Sequence, residues 1–169
     1  MATVAAHGIA AQLPGGFEAR IFRRTPGPGE RSFPVAHFAS FAIPTEVGDF
    51  GAGAVTLMGP TDVFAVLFEY GPESVGRKLF ERQGIPAALS EGDFRPYVVR
   101  RGLPGHAGTQ WFFTEAGRPF TLYVVLGSFG RRGVLVPKVN ELLANLSIAP
   151  AASTAASVQR AGVPGPDWN

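Results

Sequence analysis

The stretch TQWFFTEAGRPFTLYVVLGS, residues 109–128, decides the fold. Its first arm, TQWFFTE at 109–115, is rich in β-branched and aromatic side chains. The chain turns at Ala116-Gly117 and returns as RPFTLYVVLGS at 118–128. Two apolar runs joined by a short glycine-containing turn read as an antiparallel hairpin. The apolar core of the second arm, residues 120–127, is the longest apolar run noted in the chain. It has the length of a strand and not of a membrane span.

Working outward, more strands emerge. FEARIFRR at 17–24 alternates, and VAHFASFAI at 35–43 reads as a second strand. AVTLM at 54–58 is expected to turn through GPT and return as DVFAVLFEY at 62–70. Both faces of that second arm are apolar, which predicts a central strand covered on two sides. ESVGRKLFERQG at 73–84 places Val75, Leu79 and Phe80 at helical spacing, with Ser74 as N-cap and Gly84 as stop. RPYVVRR at 95–101 reads as a strand. VLVPKVNELLANL at 134–146 carries Leu135, Val139, Leu142, Leu143 and Leu146 on one helical stripe, and Pro137 suits its first turn. The expectation is an α+β domain over residues 16–149, a mainly antiparallel sheet of hairpins with two covering helices. Residues 1–15 read as a loose N-terminal arm. Residues 150–169 read as an Ala/Ser/Pro/Gly-rich C-terminal tail.

This order of elements resembles the PsbP-like fold of photosystem II extrinsic subunits and small actinobacterial lipoproteins. The likeness covers about residues 17–148 and lies in the strand PFTLYVVLGS leading through a basic loop into LVPKVNELLANLSI. Ala/Gly/Arg-rich, Lys-poor usage is likewise similar to that of small actinobacterial proteins. The resemblance implies a binding or assembly role with no catalytic residues. The lipobox cysteine of the lipoprotein relatives has no counterpart here.

Composition narrows the chemistry. There is no cysteine among 169 residues, which excludes disulfides, thiolate nucleophiles and cysteine metal sites. Charged residues are 17% of the chain, below the roughly 25% of an average globular protein, while Phe occurs 14 times. A weakly charged, Phe-rich chain suits a thick core or an association surface. The N-terminus lacks a basic region followed by an apolar run, so no signal peptide is read and a cytoplasmic location is expected. The net charge of +2 rests on a small excess of basic residues. Three Arg doublets, 23-24, 100-101 and 131-132, are too scattered for a nucleic-acid stripe.

RRGLPGHAGTQWFF at 100–113 sets three glycines around His106. A phosphate cradle needs a helix after its glycines, and TQWFF is strand-like. The glycines read as turn positions and His106 as an exposed loop tip. His7 falls in the arm and His37 in mid-strand, so no metal set assembles locally. Asp49-Phe50-Gly51 lacks every partner of the kinase signature it imitates. Glu69 and Glu115 are carboxylates among apolar neighbours, and Glu69 is expected to need an Arg partner. Trp111, Phe112, Phe113, Phe120 and Tyr123 share a hairpin and read as core, or else as a ligand groove or an interface.

Three functions remain. The favoured one is a non-catalytic interaction or assembly domain, with a protein partner or a second copy. Its candidate contacts are Trp168 in the tail, Trp111, His106, Arg100, Arg101, Arg131 and Arg132. No cofactor, metal, nucleic acid or integral membrane segment is expected. The second is a small-molecule binder or enzyme with a sheet–helix pocket where His106, Glu69 or Glu115 meet an Arg. The third is a binder of anionic surfaces, which requires two Arg doublets on one face.

Overall fold

The computed structural model describes residues 1–98 and 103–151. Its scaffold is a five-stranded antiparallel sheet in the order β3-β4-β5-β7-β6, built from β3 (Glu18–Phe22), β4 (Val35–Ala39), β5 (Val63–Glu69), β6 (Ala107–Glu115) and β7 (Arg118–Leu126). A second sheet of three strands, β1 (Thr3–Ala6), β2 (Ile9–Gln12) and β8 (Leu146–Ile148), lies in the order β1-β2-β8. One α-helix occurs among the described residues, α1 (Arg132–Ala144). The class is therefore α+β.

The hairpin of residues 109–128 is present. Phe113 pairs with Phe120, Trp111 with Leu122 and Gln110 with Tyr123. β5 is central as expected, with Val63 to Leu67 all fully buried. Its Ala65 and Leu67 join Phe38, Leu122, Val124 and the buried stripe of α1 in one core. Ile9, Ala11, Leu146 and Ile148 of the small sheet close that core. On the opposite sheet face, Phe64, Val66 and Val125 pack under Ile43, Val55 and Met58 of the long 40–62 connection.

Four expectations need correction. Residues 54–58 are no strand, because Val55–Leu57 is a 3-10 turn that lays Val55 and Met58 on the sheet. The second covering helix is absent. Residues 73–84 hold two short 3-10 turns, Pro72–Ser74 and Lys78–Phe80, separated by Gly76 at φ +85°. A left-handed residue inside twelve stops an already marginal helix. Of the proposed stripe only Phe80 is buried, while Val75 and Leu79 are exposed. Residues 95–98 make a single bridge, Arg95 to Gly108, followed by the 3-10 turn Pro96–Val98. The N-terminal residues are a hairpin and not a loose arm, with Ile9 fully buried and paired to Ile148.

α1 begins two residues before the expected start, so Pro137 lies in its second turn. Leu146 is buried as expected but belongs to β8 after Asn145 ends the helix.

Both hairpins close through two left-handed residues, His7-Gly8 (φ 52° and 76°) and Ala116-Gly117 (φ 52° and 74°). Such turns match the right-handed twist of the strands they join. Glycine takes this conformation freely, whereas an L side chain with a Cβ is disfavoured by roughly 1–2 kcal/mol. Ala116 is exposed, so nothing in its packing offsets that cost. Ala116→Asn is therefore expected to stabilise the chain by up to about 1 kcal/mol. Calorimetry should show a rise of about 2–4 °C in Tm. An unchanged or lowered Tm would contradict the strain at this turn.

Candidate functional site

Arg118 and Glu69 form a buried, bidentate ion pair. Arg118 Nε donates to Glu69 Oε1 at 2.9 Å and Nη2 to Oε2 at 2.7 Å. Glu69 thus has the Arg partner its sequence context demands. The guanidinium also donates to the carbonyls of His7 (3.0 Å) and Ala149 (2.9 Å). Every nitrogen of Arg118 is therefore engaged, and the arrangement is structural in character.

The outer face of the five-stranded sheet is different. Phe68 on β5 stacks on Phe50 with ring centroids 4.9 Å apart. The row continues from Phe68 to Tyr70 at 5.1 Å, to Phe80 at 5.1 Å, and from Phe80 to Phe112 at 5.7 Å. Tyr123 meets Phe50 edge-on. Phe68, Tyr70, Phe112 and Tyr123 are half-buried, whereas Phe64 and Val66 of the same strand are sealed. Phe50 itself is 41% exposed. Burial raises the pKa of the Tyr70 phenol. The 40–62 connection covers one end of this face and Phe80 the other, leaving an aromatic strip between them.

A third feature is a cleft of about 410 Å³ between β3 and the 43–49 loop. Arg20, Phe22, Arg24, His37 and Thr45 are on its wall. Arg20 donates to the carbonyls of Ile43 and Pro44, and Arg24 Nε to Asp49 Oδ1 at 2.6 Å. His37 sits 1% exposed between the rings of Phe22 (5.1 Å) and Phe64 (5.3 Å). Its Nε2 lies 2.8 Å from the Asp49 carbonyl. Burial pushes the His37 pKa below the ordinary 6.5, against the opposing pull of Asp49.

Among the described residues singled out from sequence, the His106 loop meets the turn before Arg131 through the Phe129 amide and the Gly105 carbonyl, and Glu69 is engaged elsewhere by Arg118. Trp111 is half-buried on edge strand β6, with Nε1 donating to Thr109 and the Arg82 guanidinium 4.2 Å above its ring. His106 is not an exposed tip, because it is half-buried and its Nε2 is enclosed without a hydrogen-bond partner among the described residues. Gly105 does adopt the left-handed turn (φ 81°), but Gly108 lies within β6 and pairs with Arg95. Glu115 accepts from the Ile85 amide. Arg131 is exposed, while Arg132 packs on Phe129 at 3.7 Å and donates to the Glu91 carbonyl. Arg24 is paired with Asp49 beside the 43–49 loop, while Arg132 opens α1 and is bound to Glu91. Arg100, Arg101 and Trp168 lie outside the described residues.

Sequence reasoning missed Phe50, Phe68, Tyr70 and the Arg20–His37 cleft. The alternation Phe64, Val66, Phe68, Tyr70 was the available signal for the strip. Among the described residues no three His, Asp or Glu side chains are grouped to hold a metal ion. No described helix is long and apolar enough to cross a membrane. Comparison with protein-family models, curated proteins and solved structures finds no match.

The His37 environment sets a pH dependence. Its folded pKa is below the unfolded value, so between the two the unfolded chain holds the extra proton and stability is lost as pH is lowered. This contribution is complete above about pH 6.5 and is lost as pH drops through the folded pKa. His37→Gln should show a shallower decline of Tm from pH 7 to pH 5 than the parent chain. Parallel Tm curves for the two proteins would contradict it.

Proposed function

We propose that the chain is a non-catalytic interaction domain whose docking surface is the aromatic strip, and that the occupant is its own C-terminal segment, residues 152–169. The observation that carries this reading is Phe50, stacked on Phe68 and still 41% exposed, at one end of an unbroken row of rings. Four half-buried aromatics beside sealed neighbours are a surface suited to one more aromatic side chain.

The position of the chain end supports the occupant. Arg118 holds the Ala149 carbonyl, and one residue along β7 the Pro119 carbonyl accepts from the Tyr70 amide. The last described residues therefore leave the domain at the sheet end that carries Tyr70, on the face opposite the strip, and the segment has to pass around that sheet end to reach it. Eighteen further residues can span up to about 60 Å when extended. They carry one Arg, one Asp and the apolar residues Val158, Val163 and Trp168. A near-neutral segment with a single Trp suits an uncharged aromatic floor. The assembly roles implied by the PsbP-like resemblance agree with this reading.

Trypsin provides the test, because Arg160 is the one basic residue of the segment. Cleavage after Arg160 should be slow in the full chain. It should accelerate at least about tenfold in Phe50→Ala and in Trp168→Ala, the loss of one aromatic pair of roughly 1.4 kcal/mol. Light scattering should give a monomer for all three. Equal cleavage rates would overturn the docking, and a dimer dissociated by Trp168→Ala would move the segment onto a second copy.

A further inference from the structure

We propose that the cleft between β3 and the 43–49 loop binds a small phosphate monoester in its singly protonated form. The observations are independent of the aromatic strip.

The cleft offers cationic donors. Arg24 uses Nε for Asp49 and Nη2 for the Val47 carbonyl. Its Nη1 has no hydrogen-bond partner among the described residues. Arg20 spends its two terminal nitrogens on Pro44 and Ile43, leaving Nε. The Thr45 hydroxyl adds a neutral donor, and the Asp49 carboxylate beside the cleft is already paired with Arg24 Nε. Guanidinium groups already anchored to carbonyls are preorganised, so binding an oxyanion there costs little side-chain entropy.

His37 supplies the selectivity. A carbonyl oxygen can only accept, so the Nε2 facing Asp49 carries the proton. The neutral ring then presents Nδ1 as an acceptor, with no partner among the described residues. Burial keeps the ring neutral below the usual range, so the acceptor persists in mildly acidic solution. Two Arg side chains and one fixed acceptor lining the same cleft match an anion that still has an O–H. A phosphate monoester has one around pH 6, near its second pKa, whereas a sulfate ester has none. Volume and lining favour an ester over the free ion. About 410 Å³ is within the range of small-molecule sites and exceeds what one phosphate fills. Phe22 and Val47 provide apolar wall for an organic substituent.

The test is calorimetric titration of the full chain at pH 6 with phenyl phosphate, phenyl sulfate and inorganic phosphate at matched ionic strength. Phenyl phosphate should bind at least tenfold tighter than phenyl sulfate and tighter than inorganic phosphate. Arg24→Gln should weaken phenyl phosphate at least tenfold, with Tm and circular dichroism confirming the fold. His37→Gln, whose amide can still donate to the Asp49 carbonyl, should abolish the preference for phosphate over sulfate. Inorganic phosphate binding as tightly as the ester would remove the organic substituent from the proposal. Equal affinity for the two phenyl esters in the parent chain would overturn the role of His37. Absence of phenyl phosphate binding, or binding unchanged in Arg24→Gln, would overturn the site.

Discussion

The two sheets of this protein are held in register by one side chain. Arg118 rises from β7, clasps Glu69 of β5, and reaches the turn of the β1–β2 hairpin and the residue after β8. The Ala149 amide closes the circle on the Gly8 carbonyl at 2.8 Å. Gly8 is left-handed, and a Cβ there would lie 2.6 Å from Arg118 Nη1. The seated Arg118 therefore leaves no room for a side chain at position 8. A buried pair of this kind is not a large net source of stability, since apolar side chains of similar size often do as well. Removing one partner is another matter, because the remaining charge stays buried. In this fold the pair specifies placement. It fixes where the small sheet sits and where the chain leaves the domain.

The rest of the architecture protects what that scaffold leaves open. β6 is an edge strand, and edges invite unwanted pairing. Residues 82–84 bind it at Thr114 and Arg95 binds it at Gly108, so both ends of the edge are occupied. Asn140 of α1 holds Leu89 through both backbone groups, which pins this wrapping segment to the helix. The outer sheet face receives only partial cover, from the 40–62 connection and from Phe80. The aromatic strip is the remainder.

How much was legible in the sequence depended on the range of the contact. The β6–β7 hairpin, the doubly covered β5 and the stripe of α1 are written in local periodicity. The need of Glu69 for an Arg was also readable, because a carboxylate in a sealed strand has few alternatives. The β1–β2 hairpin was not, since TVAA and IAAQ are rich in Ala, which carries little strand signal. Residues 54–58 and 73–84 misled because short apolar runs fit strand or helix equally until the packing partner is known. The His37 cleft draws on β3, β4 and a loop, so no spacing within the chain announced it. His106 looked like a tip because glycines flank it, yet its Nε2 is buried.

Hydrogen exchange on the Arg118→Met variant measures the central constraint most directly, because it reports the two sheets separately. Loss of one partner of a buried pair costs roughly 3–5 kcal/mol. Amides paired within β1, β2 and β8 should lose roughly a hundredfold or more of their protection. Those of β4, β5 and β7 should keep most of theirs. Equal loss in both sheets, or none in either, would contradict the role assigned to Arg118.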